Sequence, residues 1–139
     1  MLAFVIGLMM VAFDPAILTV PVVHAQEVKV WTQEEVRELA VEQAKKYGLN
    51  TKRFLAVLAC ENNFNATGQS EHITKSGERE DSWGSAQINL YWNPEVTQAQ
   101  AEDPLYAISW MAERWSIGKH RLWSCFGILE SKGWGNPAP

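Results

Sequence analysis

The chain reads as a mainly α domain with a long loop or one small hairpin in its middle. Three observations predict this. Good N-cap residues precede runs of apolar residues at helical spacing. A polar stretch from Asn65 to Asp81 separates these runs. The 139 residues are 47% hydrophobic and 20% charged, which suits one globular domain rather than a disordered chain.

Thr32-Gln33-Glu34-Glu35 is a capping box, since Thr32 can cap and Glu35 can reach back to the cap amide. The helix it starts should run to about Tyr47, with Val36, Leu39, Ala40 and Ala44 on one face and Gly48 ending it. Asn50 caps a second helix whose apolar side is Phe54, Leu55, Val57 and Leu58. It runs into Cys60-Glu61 and stops near Asn62-Asn63. The polar stretch to Asp81 is expected as a surface loop, with room for a short hairpin. Trp83 to Leu90 is short and uncharged, and Tyr91-Trp92-Asn93-Pro94 turns away from it. Asp103 with Pro104 at the first helical position starts a helix carrying Leu105, Ile108, Met111, Ala112 and Trp115, closed by Gly118. A last helix is expected over Arg121 to Glu130, and Gly133, Gly135, Pro137 and Pro139 mark a loose tail.

Residues 1–25 hold no Lys or Arg, are largely apolar, and end in Val23-His24-Ala25. They are expected to be a secretory signal cleaved after Ala25, leaving 26–139 as the domain. The rival expectation is a membrane anchor, against which Asp14, Pro15 and Pro21 argue. Export would place Cys60 and Cys125 in an oxidising compartment and favour a disulfide over two buried thiols. The cysteines, His72 and His120 match no zinc spacing, so neither metal nor cofactor is expected. A net charge of -4 argues against nucleic-acid binding and gives no pull toward an anionic polymer. Most of the seven Trp residues are expected in the core, although Trp also stacks on sugar rings.

Glu61 draws attention by position alone. It ends an apolar helix, follows Cys60 and opens onto the polar loop. A carboxyl there meets the negative end of the helix dipole, and partial burial would raise its pKa further. Both effects suit a general acid, although an ordinary surface Glu at a helix end has the same sequence position.

The order Cys60-Glu61-Asn62-Asn63-Phe64-Asn65, then Ser70, then Gly84-Ser85-Ala86-Gln87-Ile88-Asn89, resembles the catalytic domain of lytic transglycosylases, relatives of goose-type lysozymes. The likeness spans about Ala44 to Trp123. It implies a lysozyme-like helical fold and a peptidoglycan glycan strand as substrate. Separately, the protein is expected to be a monomer that meets the membrane only through its N-terminal segment. By that resemblance Glu61 protonates the glycosidic oxygen between N-acetylmuramic acid and N-acetylglucosamine. It then takes a proton from the C6 hydroxyl, which attacks C1 to give a 1,6-anhydro product. Ser70 would hydrogen-bond near Glu61 or the substrate. Gly84 would let backbone approach the glycan, Gln87 would offer its amide to the sugar, and Asn89 is a weaker binding candidate. One of Trp83, Tyr91 and Trp92 would line the groove.

The chain departs from the pattern at Asn62, where the family has Ser, and at Arg121-Leu122-Trp123-Ser124-Cys125, which replaces a later tyrosine motif. A Cys60–Cys125 bridge would pin the last helix beside Glu61. Asp81, ahead of Trp83-Gly84, would supply a second carboxylate for a lysozyme-like hydrolase if it faced Glu61, although a solvated loop acid is the first expectation at this position. A catalytically silent wall-binding module is the third alternative.

Overall fold

Residues 29–134 are described by the structure, a computed structural model. The expected signal at 1–25 and the tail beyond 134 lie outside them. Thr32 opens α1 (Gln33–Lys46) through the full capping box, with its side chain accepting from the Glu35 amide and Glu35 returning to the Thr32 backbone. Val36, Leu39, Ala40 and Ala44 are buried, and Gly48 at φ 66° turns the chain away. The Asn50 side chain accepts from the Arg53 amide to start α2 (Thr51–Asn62). Phe54, Val57 and Leu58 face inward from it, and Asn63 caps its end in the left-handed region at φ 47°.

Two short strands follow, β1 (Ser82–Trp83) and β2 (Ile88–Asn89), paired antiparallel with Ser82 opposite Asn89. A bridge from Gln69 to Trp83 ties the preceding loop onto this hairpin, and one from Ile73 to Arg79 closes that loop on itself. The sequence reading did not foresee α3 (Gln98–Ala101), a single turn. Thr97 and Gln100 form its capping box, a signal present in the sequence but attached to no apolar repeat.

Asp103 and Pro104 start α4 (Pro104–Ser116), as expected. Its buried face is Ala107, Ile108, Trp110, Met111 and Ala112, while Leu105 is 54% exposed and does not belong to it. Leu105 stands in the first turn of the helix, seven positions before the buried Ala112 and on the same side as it. The expected last helix is shorter than its reading from Arg121. A 3₁₀ turn at His120–Leu122 precedes α5 (Ser124–Ser131).

The fold is therefore mainly helical, with one two-stranded hairpin among the described residues. Helix α1 packs on α4 and α2, and α5 packs on α2. Phe54, Leu58, Ile108 and Met111 sit at the centre with no solvent exposure. Burying each such side chain contributes about 1.5–3 kcal/mol. Trp115 covers this centre edge-on to Phe54 at 5.2 Å, and Trp110 meets Trp123 at 6.0 Å. Cys60 and Cys125 form a disulfide between α2 and α5. Among the described residues no helix is long and apolar enough to cross a membrane.

Candidate functional site

Three pieces of chain meet at Glu61: the end of α2, the hairpin with its preceding loop, and the start of α5. Helix α5 has no side-chain cap of its own. Glu61 supplies one from a distance, its Oε1 accepting from the Cys125 N–H at 3.0 Å. The disulfide joins Cys125, the donor of this bond, to Cys60, the residue before its acceptor, so α5 is held to α2 covalently and electrostatically at one point.

Burial is the main influence on the Glu61 carboxyl and raises its pKa above the usual carboxylate value. The Cys125 N–H opposes this by stabilising the charged form, and the negative charge of Glu80 adds to the rise. Burial and like charge prevail over one hydrogen bond. The group therefore holds its proton to higher pH than an exposed Glu.

Glu80 was not singled out by the sequence. Its carboxylate takes a hydrogen bond from Ser70 Oγ at 3.1 Å and from Asn89 Nδ2 at 3.4 Å. Two expected site residues thus converge on Glu80 rather than on Glu61 directly. Asp81 is exposed, and its Oδ1 accepts from Trp83 Nε1 at 2.7 Å. The acid whose charge acts on Glu61 is its neighbour in sequence. Alternation along an extended segment explains the difference: Glu80 and buried Ser82 share one face, Asp81 and Trp83 the other. The Asp81–Trp83 spacing of two was the available signal.

Gly84 has φ 73°, and a Cβ there would overlap the carbonyl of Ala101. Its glycine requirement comes from close packing against the end of α3, not from an open face awaiting a glycan. Gln87, itself at φ 46°, donates its amide to the carbonyls of Gly84 at 2.8 Å and Gly68 at 3.3 Å, which ties the turn to the loop. Asn62 replaces the serine of the resembled pattern with a longer reach. Its Nδ2 lies within hydrogen-bond range of the carbonyls of Asn65, Thr67 and Gly84, at 3.3, 3.2 and 3.0 Å.

Beyond Asn89, Tyr91 and Trp92 are 72% and 75% exposed and meet edge to face at 4.7 Å. Asn89 Oδ1 accepts from the Trp92 N–H at 3.2 Å, so one amide group links the aromatic pair to Glu80. Trp83 is half-buried against the core. Among the described residues no set of His, Cys, Asp and Glu side chains is arranged to hold a metal.

This arrangement can supply a proton from a partly buried acid, stabilise positive charge with a second carboxylate, and offer aromatic faces beside them. No protein-family model matches the chain, and neither a curated protein nor a solved structure matches it at a significant level.

Proposed function

We propose that the protein is an exported, lysozyme-like glycosidase that cleaves the β-1,4 bond between N-acetylmuramic acid and N-acetylglucosamine in peptidoglycan. The observation that carries this is the Glu61 carboxyl, whose pKa is raised by burial and by the charge of a second, hydrogen-bonded carboxylate, Glu80. Glu61 donates its proton to the glycosidic oxygen as the C1–O bond breaks and the electron pair leaves with the N-acetylglucosamine. Positive charge then develops at C1 of the muramic sugar. In the transglycosylase reading, the Glu61 carboxylate next takes the proton of the C6 hydroxyl, and that oxygen closes on C1 as a 1,6-anhydro ring. The exposed faces of Tyr91 and Trp92 suit stacking on a sugar ring. The disulfide suits an oxidising compartment outside the membrane, where this polymer lies.

Glu80 favours a second reading, a hydrolase. Its carboxylate, oriented by Ser70 and Asn89, would stabilise the charge at C1 or orient an attacking water. Incubation with purified peptidoglycan and mass analysis of the soluble fragments tests both. Anhydro ends support the transglycosylase and reducing ends the hydrolase. No release from the parent protein would leave only a silent binding module. Glu61→Gln should lower release about a hundredfold or more. Glu80→Gln removes a like charge from Glu61 and so lowers its pKa, and the basic limb of the pH–rate profile should move to lower pH. Release by Glu61→Gln at the parent rate would end the proposal.

A further inference from the structure

We propose that the cavity between the loop after β2 and the link from α4 to α5 binds the carboxylate of a short acidic peptide. It rests on the glycosidase reading for the carrier alone, the lactyl-linked peptide of a wall glycan. The cavity holds about 490 Å³ and is lined by Asn93, Glu95, Arg114, Lys119, Arg121 and Leu122. It thus gathers three cations against one acid on a chain whose net charge is -4. Arg114 is stacked 4.2 Å over Trp110 and lies 3.5 Å from Glu95, so its position is locked and its charge matched. Arg121 is matched by Glu130 at 2.9 Å. Lys119 has no ion pair among the described residues, which leaves the cavity one unmatched positive charge.

One unmatched cation suits a small ligand with little net negative charge. A polyanion such as a phosphate chain would meet Glu95 and Glu130 as well. Leu122, 62% exposed, offers apolar surface to the aliphatic part of a peptide.

The cavity is also linked to the carboxylate site through Asn93. Asn93 donates its backbone N–H at 3.1 Å and its side-chain amide at 2.8 Å to the carbonyl of Asn89, the residue that reaches Glu80. On the other side Arg121 and Leu122 immediately precede Trp123, whose indole donates to the Ala86 carbonyl, and Cys125, whose N–H holds Glu61. Both walls of the cavity thus continue along the chain into residues that hold Glu80 and Glu61.

The test is a titration of the ¹⁵N-labelled protein with L-alanyl-γ-D-glutamate, with its diamide and with inorganic phosphate. The dipeptide should move the amide signals of Asn93 and of Lys119 to Leu122. The diamide should bind about fivefold more weakly. Lys119→Glu, an exposed change, should abolish the shifts. No movement of these signals up to about 10 mM dipeptide overturns the proposal, as does equal binding of the diamide or of phosphate. In a second measurement, the ratio of cleavage of peptide-bearing glycan to peptide-stripped glycan should fall about fivefold in Lys119→Glu. An unchanged ratio also overturns it. A protein that cleaves neither glycan refutes the glycosidase reading and leaves the titration to decide the cavity.

Discussion

The packed centre of α1, α2 and α4 and the polar rim around Glu61 are built on different physics. In the centre, Phe54, Leu58, Ile108 and Met111 are wholly buried on regular helices, and shape and area hold them. At the rim, side-chain amides hold the backbone: Asn62, Gln87 and Asn93 each donate to main-chain carbonyls. Three of the four non-glycine residues with positive φ among the described residues, Asn63, Phe64 and Gln87, lie there. Such conformations cost of order 1–3 kcal/mol each and persist only where the surroundings enforce them. The rim therefore borrows its order from the centre. Volume-conserving changes should be tolerated in one region, while the other depends on particular donors and particular backbone angles.

Removing the covalent link between the regions should give the largest effect. Cys60 and Cys125 are 65 residues apart in sequence. Closing a loop of that length stabilises a fold by about 4 kcal/mol. The double variant Cys60→Ser, Cys125→Ser should lose more than about 15 °C in Tm. Hydrogen exchange at the Cys125 amide should rise most, because that N–H bonds Glu61. A Tm within a few degrees of the parent would mean that α5 needs no help from the bridge.

Gly84→Ala comes next. The new methyl would meet the Ala101 carbonyl in a backbone conformation that L-residues avoid. A loss of about 2–4 kcal/mol is expected from urea midpoints. Met111→Leu in the centre, which conserves volume, should cost less than about 1.5 kcal/mol. Equal losses from the two substitutions would erase the distinction between the regions.

This distinction also governs what the sequence disclosed. Helix starts were legible because a cap and a period of 3.6 are local facts: Thr32 with Glu35, Asn50, and Asp103 with Pro104 all act as read. Glu61 was legible as a carboxyl ending an apolar helix, and its burial adds what position alone could not. Glu80 was hidden because, on an extended segment, a shift of one residue exchanges the inward and outward faces, and Asp81 is adjacent. The roles of Ser70 and Gly84 were hidden for another reason. Their partners, Glu80 and Ala101, are brought to them by the loop's return and by a helix of a single turn. Polar contacts between loops leave no periodic trace, whereas an apolar face does.

Glu61 sharpens the comparison through pH. Its folded-state pKa lies above its ordinary value of 4.5. The fold is therefore favoured while the group is protonated. That contribution is complete below the ordinary value and is lost as pH rises through the raised one. Glu61→Gln keeps an oxygen for the Cys125 N–H and removes the ionisation. Its Tm should exceed that of the parent at about pH 7 by a few degrees, and the gap should close near pH 4. A variant less stable than the parent at neutral pH would show that the charged carboxylate, acting as the cap of α5, outweighs its own burial.

The smallest expected effect concerns Asn63. Its φ of 47° ends α2 in the left-handed region, where Asn is the most tolerant side chain after Gly. The Asn63 carbonyl accepts from Gln33 Nε2 at 2.9 Å, a bond that any residue at this position can keep. Asn63→Gly removes the Cβ strain and also loosens the unfolded chain, and these oppose each other. Relief should win by about 0.5 kcal/mol, because the surroundings already enforce the angle and no hydrogen bond is lost. Chemical unfolding resolves such a difference when parent and variant are measured together. A loss of more than about 1 kcal/mol would mean that the Asn63 side chain holds the rim in place, and that the strain attributed to this turn is offset by contacts of its own rather than by the packed centre.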